Sequence, residues 1–94
     1  MIQIQFFSLI RMLLKKDAAE IPWEAGDTVQ SVLKKTQVKI VTPFLHKLLD
    51  EQGEPHTGTI ILVNRKNILH LQGLQTPVVD KDVLELDVAM NNAM

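Results

Sequence analysis

The chain has 94 residues, 46% of them hydrophobic, with no cysteine and a formal net charge of −1, which suits one compact domain burying roughly 60 to 68% of its unfolded surface. Disulfides, thiolate nucleophiles and sulphur-ligated metal clusters are thereby excluded, and the near-neutral charge, with no basic run longer than Lys15-Lys16 or Lys34-Lys35, argues against a nucleic-acid groove. No basic region precedes the first apolar residues and no apolar stretch approaches about 18 residues, so a soluble cytoplasmic protein without a membrane segment is expected.

Residues 1–7 alternate Ile2, Ile4 and Phe6 against Gln3 and Gln5, which predicts a half-buried strand. From residue 8 to 14 the period changes. Leu9, Ile10, Leu13 and Leu14 fit a helical turn or two, with Ser8 as its cap and Lys15 and Lys16 at its negative end. Residues 18–23 alternate again, and Pro22 removes a ladder donor, so this strand belongs at a sheet edge. A turn around Gly26 leads into the clearest helix. Asp27 or Thr28 caps it, Val29, Val32, Leu33 and Thr36 recur at helical spacing, and Lys34 and Lys35 occupy its last turns. Residues 38–41 read as a short extended segment. Thr42-Pro43 then opens a second helix, with an apolar stripe of Phe44, Leu45, Leu48 and Leu49.

A turn-rich loop over 50–58 delivers the chain to Ile60-Ile61-Leu62-Val63, a short apolar run expected to be a strand buried on both faces. Residues 67–79, with Gly73 and Thr76-Pro77, form a connection holding at most a short extended piece near Ile68. The turn Asp80-Lys81-Asp82 precedes a final strand over 83–88, with Leu84, Leu86 and Val88 on one face and Glu85 and Asp87 on the other. This order predicts an α+β fold, a four- to five-stranded mixed sheet packed on a helix layer. There is no internal repeat or linker. Residues 1–88 are expected to be a single domain and 89–94 a flexible tail.

Few residues suggest chemistry. His46 and Asp50 stand four apart on the second predicted helix, yet His46, His56 and His70 lack metal-ligand spacing. Asp80 and Asp82 suit a turn, where carboxylates accept backbone N–H groups. Glu85 and Asp87 would face solvent, without the pocket that acid–base catalysis requires. Gly26 and Gly73 are isolated turn glycines, and no phosphate loop or serine nucleophile motif is present. No catalytic residue, cofactor or metal site is assigned.

The stretch VNRKNILHLQGLQTPVVDKDVLEL resembles the last third of the molybdopterin synthase small subunit and of the thiamine sulphur carrier. Val63, Asn64, Asn67, Ile68, His70, Leu71, Gly73, Leu74, Thr76, Pro77, Asp80, Asp82 and Val83 match that pattern, as do Phe6, Phe7, Ser8 and Arg11 near the start. The resemblance implies a ubiquitin-like β-grasp fold, with the first and last strands side by side at the sheet centre. It also implies a protein partner, either a molybdopterin synthase large subunit or an adenylating activating enzyme. In that family a C-terminal Gly-Gly carboxylate is adenylated and converted to a thiocarboxylate.

Aligned through Asp80-Lys81-Asp82, this chain has Asn92 and Ala93 opposite the two glycines, with Met94 beyond them. Side chains forced into a slot shaped for bare backbone cost roughly 1 to 3 kcal/mol each, or about one to two decades of rate. Lys15 stands where the family has a glycine, so the first helix is expected to end differently. Arg65 replaces the hairpin glycine, passing any positive φ to Asn64 or Asn67. Asp87 puts charge where the family exposes an apolar residue. The expectation is a non-enzymatic adaptor that docks to protein through Glu85, Asp87, Ala89, Met90, Asn91, Asn92, Ala93 and Met94. The alternative is a working sulphur carrier with an atypical C-terminus, in molybdenum or tungsten cofactor biosynthesis.

Overall fold

The alternation at the start of the chain folds as β1 (Ile2–Phe6), with Ile2, Ile4 and Phe6 buried and Gln3 and Gln5 on the opposite face. The computed structural model describes residues 1–89. A short helix, α1 (Ser8–Leu14), follows and buries Ile10 and Leu14. Ser8 is not its cap. Phe7 holds that position without a side-chain hydrogen bond, and Ser8 is the first helical residue, with φ of 49°. The helix exit is not rebuilt for want of glycine either. Lys15 itself takes φ 57° and ψ 35°, and its N–H donates to the Arg11 carbonyl at 2.8 Å, the left-handed ending that glycine usually supplies.

The next strand, β2 (Ala18–Ile21), pairs antiparallel with β1 and stops before Pro22. Helix α2 (Val29–Lys39) begins with a reciprocal cap. Thr28 Oγ1 accepts the Ser31 N–H at 3.3 Å, and Ser31 Oγ accepts the Thr28 N–H at 2.9 Å. Val29, Val32, Leu33 and Thr36 are buried, as their spacing predicts. The helix runs on to Lys39, so the extended segment expected over 38–41 is not formed as such. Val38 lies exposed on the last turn, and the chain leaves the helix only at Ile40, which turns back into the core. Lys35 is therefore a mid-helix residue, and its ammonium reaches Asp27 at 2.7 Å and Glu24 at 3.0 Å.

Thr42-Pro43 does not open the next helix. The single turn α3 (Leu45–Leu48) starts after Phe44, and its free donors are met from a distance. Gln37 Oε1 accepts the N–H groups of Phe44 at 2.8 Å and Leu45 at 3.1 Å, while Nε2 donates to the carbonyls of Ile40 and Thr42. One amide side chain thus clasps the whole connection between α2 and α3. Phe44 reaches the core, where its ring meets Phe6 edge to face with centroids 6.1 Å apart.

Three further strands complete the sheet: β3 (Thr59–Val63), β4 (Lys66–Asn67) and β5 (Val83–Val88). The strand order is β2-β1-β5-β3-β4, with β1 and β5 parallel and adjacent and the other pairs antiparallel. This is the five-stranded mixed sheet of an α+β fold, with β2 at the edge that Pro22 predicts. Short 3-10 turns at Ile68–His70 and Gly73–Gln75 fill the connection before β5. The β3–β4 turn corrects the expectation for Arg65. Asn64 and Arg65 both take positive φ, of 50° and 74°, whereas Asn67 stays at −68°. A two-residue hairpin of the twist-matching kind needs both central residues there. Among the described residues, no helix is long and apolar enough to cross a membrane.

Candidate functional site

One face of the sheet packs on the helices through Ile2, Ile4, Phe6, Ile61, Val63, Leu84 and Leu86. The period-two alternation places Gln3, Gln5, Ile60, Leu62, Val83, Glu85 and Asp87 on the other face. Register sets these side chains in rows. Gln5 lies beside Glu85 and Glu85 beside Leu62, while Ile60 is paired with Asp87. Ile60 and Leu62 are half-buried rather than buried. The expectation that β3 is covered on both faces is therefore wrong. The run Ile60-Ile61-Leu62-Val63 would look the same in either case, because the helices pack on one side only and nothing local reveals which.

Glu85 is not the solvated carboxylate its alternation suggests. Its side chain is 13% exposed, and Arg65 Nη1, on a side chain 83% exposed, lies 3.5 Å from Glu85 Oε2. Neighbouring strands on both sides cover it, a consequence of β5 being an inner strand of the sheet. Asp87 Oδ1 accepts the N–H of Val88 at 2.7 Å. The two carboxylates share an open sheet face rather than a cleft. On this face the two carboxylates lie on the middle strand, β5, and the aliphatic side chains of Ile60 and Leu62 lie beside them on β3.

Of the other predicted binding residues, Ala89 continues alongside β3, its N–H donating to the Gly58 carbonyl at 2.8 Å. Met90, Asn91, Asn92, Ala93 and Met94 lie outside the described residues. Asp82 does what a turn carboxylate does. Oδ2 accepts the Val79 N–H at 2.9 Å and Oδ1 accepts from Asn64 Nδ2 at 2.9 Å, while Asn64 in turn exchanges bonds with Val83. The matched pair Asn64 and Asp82 thus locks the β3–β4 turn to the start of β5.

The histidines do not assemble. His46, His56 and His70 are exposed, and His56 Nε2 lies 2.9 Å from the His46 carbonyl. Asp50 is off the helix that sequence spacing gave it, because α3 ends at Leu48. Its Oδ1 instead accepts the N–H groups of Gln52 and Glu54. A shallow depression of about 390 Å³ opens here, lined by Leu45, Leu49, His46, His56 and their neighbours. Among the described residues, no group of three or more His, Asp or Glu is placed to hold a metal.

No protein-family model and no curated protein matches the chain. Its backbone does match solved structures. The protein SAMP1 from Haloferax volcanii superposes with a TM-score of 0.83 at 13% identity, covering 97% of each chain. A chain from the BexX/CysO complex of Amycolatopsis orientalis gives 0.78 at 18% identity, over 95% of this chain and 96% of that one. Urm1 from Trypanosoma brucei gives 0.80 at 19% identity, over 97% and 93%. The agreement is one of architecture, spanning nearly the whole of each chain. The fold is the ubiquitin-like β-grasp, as the residues around Val63 to Val83 led us to expect.

Proposed function

We propose that this chain is a non-catalytic, ubiquitin-like protein-binding module whose open sheet face, centred on Leu62, Glu85 and Asp87, docks to a protein partner. The observation that carries the reading is the half-burial of Ile60 and Leu62 on the sheet face opposite the one that forms the core. Large aliphatic side chains on an uncovered sheet face gain free energy when a partner removes them from water, at roughly 25 cal/mol per Å² of apolar area. Ala89 continues the chain beside β3, and the proposed contact includes residues 89–94.

The similar folds supply the context. One of them was solved as a two-protein complex, BexX/CysO, and a Pyrococcus furiosus protein assigned as molybdopterin converting factor, subunit 1, has a TM-score of 0.68 at 17% identity. A partner in sulphur transfer or pterin-cofactor assembly is therefore our specific proposal, either a molybdopterin synthase large subunit or an adenylating enzyme. Asn92 and Ala93 align with the glycine pair of the resembled carriers, and none of the four glycines here is adjacent to another. That substitution favours docking without transfer. The second reading, a working carrier, is favoured by the overall architecture.

Incubation with ATP, sulphide and an activating enzyme from the native cell separates the two by intact mass. A stable complex with no mass adduct is the expected result. An adenylate or thiocarboxylate on this chain would overturn the adaptor reading and establish the carrier.

A further inference from the structure

Strand β2 forms one edge of the sheet, and its pairing with β1 fixes which of its backbone groups are free. The Phe6 N–H donates to the Asp17 carbonyl at 2.9 Å, and the register pairs Ile4 with Ala19 and Ile2 with Ile21. Hydrogen-bonded pairs alternate along an antiparallel ladder. The N–H and C=O groups of Ala18 and Glu20, and the Pro22 carbonyl, therefore point outward, where one more strand would add.

Two of those outward carbonyls are already occupied. Lys39 Nζ donates to the Glu20 carbonyl at 2.7 Å, and Lys35 Nζ donates to the Pro22 carbonyl at 3.1 Å. Both lysines come from one face of α2, four residues apart. Lys35 is also engaged by Asp27 and Glu24, whereas the Glu20 carbonyl is the only hydrogen-bond partner of the Lys39 ammonium among the described residues. Pro22 has no N–H to offer. An edge strand is a template for pairing with another chain, and charged lysines are one way of blocking it. Here the block is direct, since the ammonium takes the acceptor an incoming strand needs and would have to be desolvated for that strand to enter.

We propose that Lys39 holds the outer edge of β2 shut against antiparallel pairing with the same edge of a second copy of this chain. The occupant follows from symmetry, because one antiparallel edge meeting its own copy makes a self-complementary, closed two-fold contact. The edge open to it is short, from Ala18 to Ile21, and Pro22 ends it.

Lys39→Gln removes the charge and shortens the side chain by one atom, and Lys39→Arg keeps a cationic donor. Sedimentation from micromolar to millimolar concentration, with amide exchange at Ala18 and Glu20, reads the result. We expect Lys39→Gln to shift from the mass of one chain toward that of two as concentration rises. Its Ala18 and Glu20 amides should slow over the same range. The native protein and Lys39→Arg should stay at one chain, with exchange independent of concentration. A Lys39→Gln protein that remains a single chain overturns the proposal. So does association that leaves the Ala18 and Glu20 amides fast, or association of Lys39→Arg equal to that of Lys39→Gln.

Discussion

Lys15 and Arg65 hold φ of 57° and 74°, and each stands where the resembled family carries glycine. For an L-residue the left-handed region costs about 1–2 kcal/mol, and glycine avoids it while giving up roughly 0.5–1 kcal/mol of chain entropy. The balance favours glycine. Lys15 is the cleanest test, being exposed and, among the described residues, bonded only through its backbone, with its N–H on the Arg11 carbonyl. We expect Lys15→Gly to stabilise the protein by about 0.5–1 kcal/mol, read as a higher urea midpoint with an unchanged slope. A lower midpoint would mean that the lysine side chain contributes something the geometry does not show. The backbone geometry at these turns is imposed by the strands and helices on either side, so replacing the glycine changes the energy of the turn and leaves its path.

The junction between β2 and α2 depends on Asp27, which is 7% exposed and accepts from the Glu24 N–H, the Ser31 hydroxyl and the Lys35 ammonium. Burial pushes its carboxyl pKa up, but the hydrogen bonds from Lys35, Glu24 and Ser31, with the Lys35 charge, outweigh it and hold the group below its ordinary value. A carboxylate depressed in the folded state stabilises fully above its unfolded pKa of about 3.9. That stabilisation is lost as pH falls through the lowered folded value. The native Tm should therefore drop below about pH 4, and Asp27→Asn, less stable at neutral pH, should show a shallower drop. Parallel acid profiles for the two proteins would assign the acid sensitivity to other groups. The cap at Thr28 was legible in the sequence because it is a local motif. The role of Lys35 was not, since it depends on α2 continuing to Lys39 and on the turn around Gly26 folding back against it.

At the scale of the whole molecule, the sheet has one covered face and one open face, and the open one carries the proposed contact. Leu62 sits beside Glu85 near its middle. Leu62→Thr keeps a residue suited to strands and removes apolar area. Surface changes usually alter stability by no more than about 0.5 kcal/mol, whereas truncating a central contact residue costs roughly 1–2 kcal/mol of binding. We expect an unfolding midpoint close to native and partner affinity reduced about five- to thirtyfold. Unchanged affinity would move the interface off this face. A large loss of stability would mean that Leu62 belongs to the core.

The amino-acid sequence by itself determined the strands and helices whose apolar periodicity is strong, namely β1, α2 and β5, together with the edge position of β2. These follow from which side chains must leave water and from the donor Pro22 lacks, and neither depends on distant residues. The β-grasp architecture was expected from the resemblance carried by the residues from Val63 to Val83, not from periodicity alone. Only the tertiary structure decided the end of α2, the clasp of Gln37 over the turn into α3, the cover over Glu85 and the openness of Ile60 and Leu62. Each depends on how the segments pack together, as where Gln37 meets the N–H groups of Phe44 and Leu45 or where β1 and β3 flank Glu85, and whether a side chain is covered depends on what packs against it rather than on what it is.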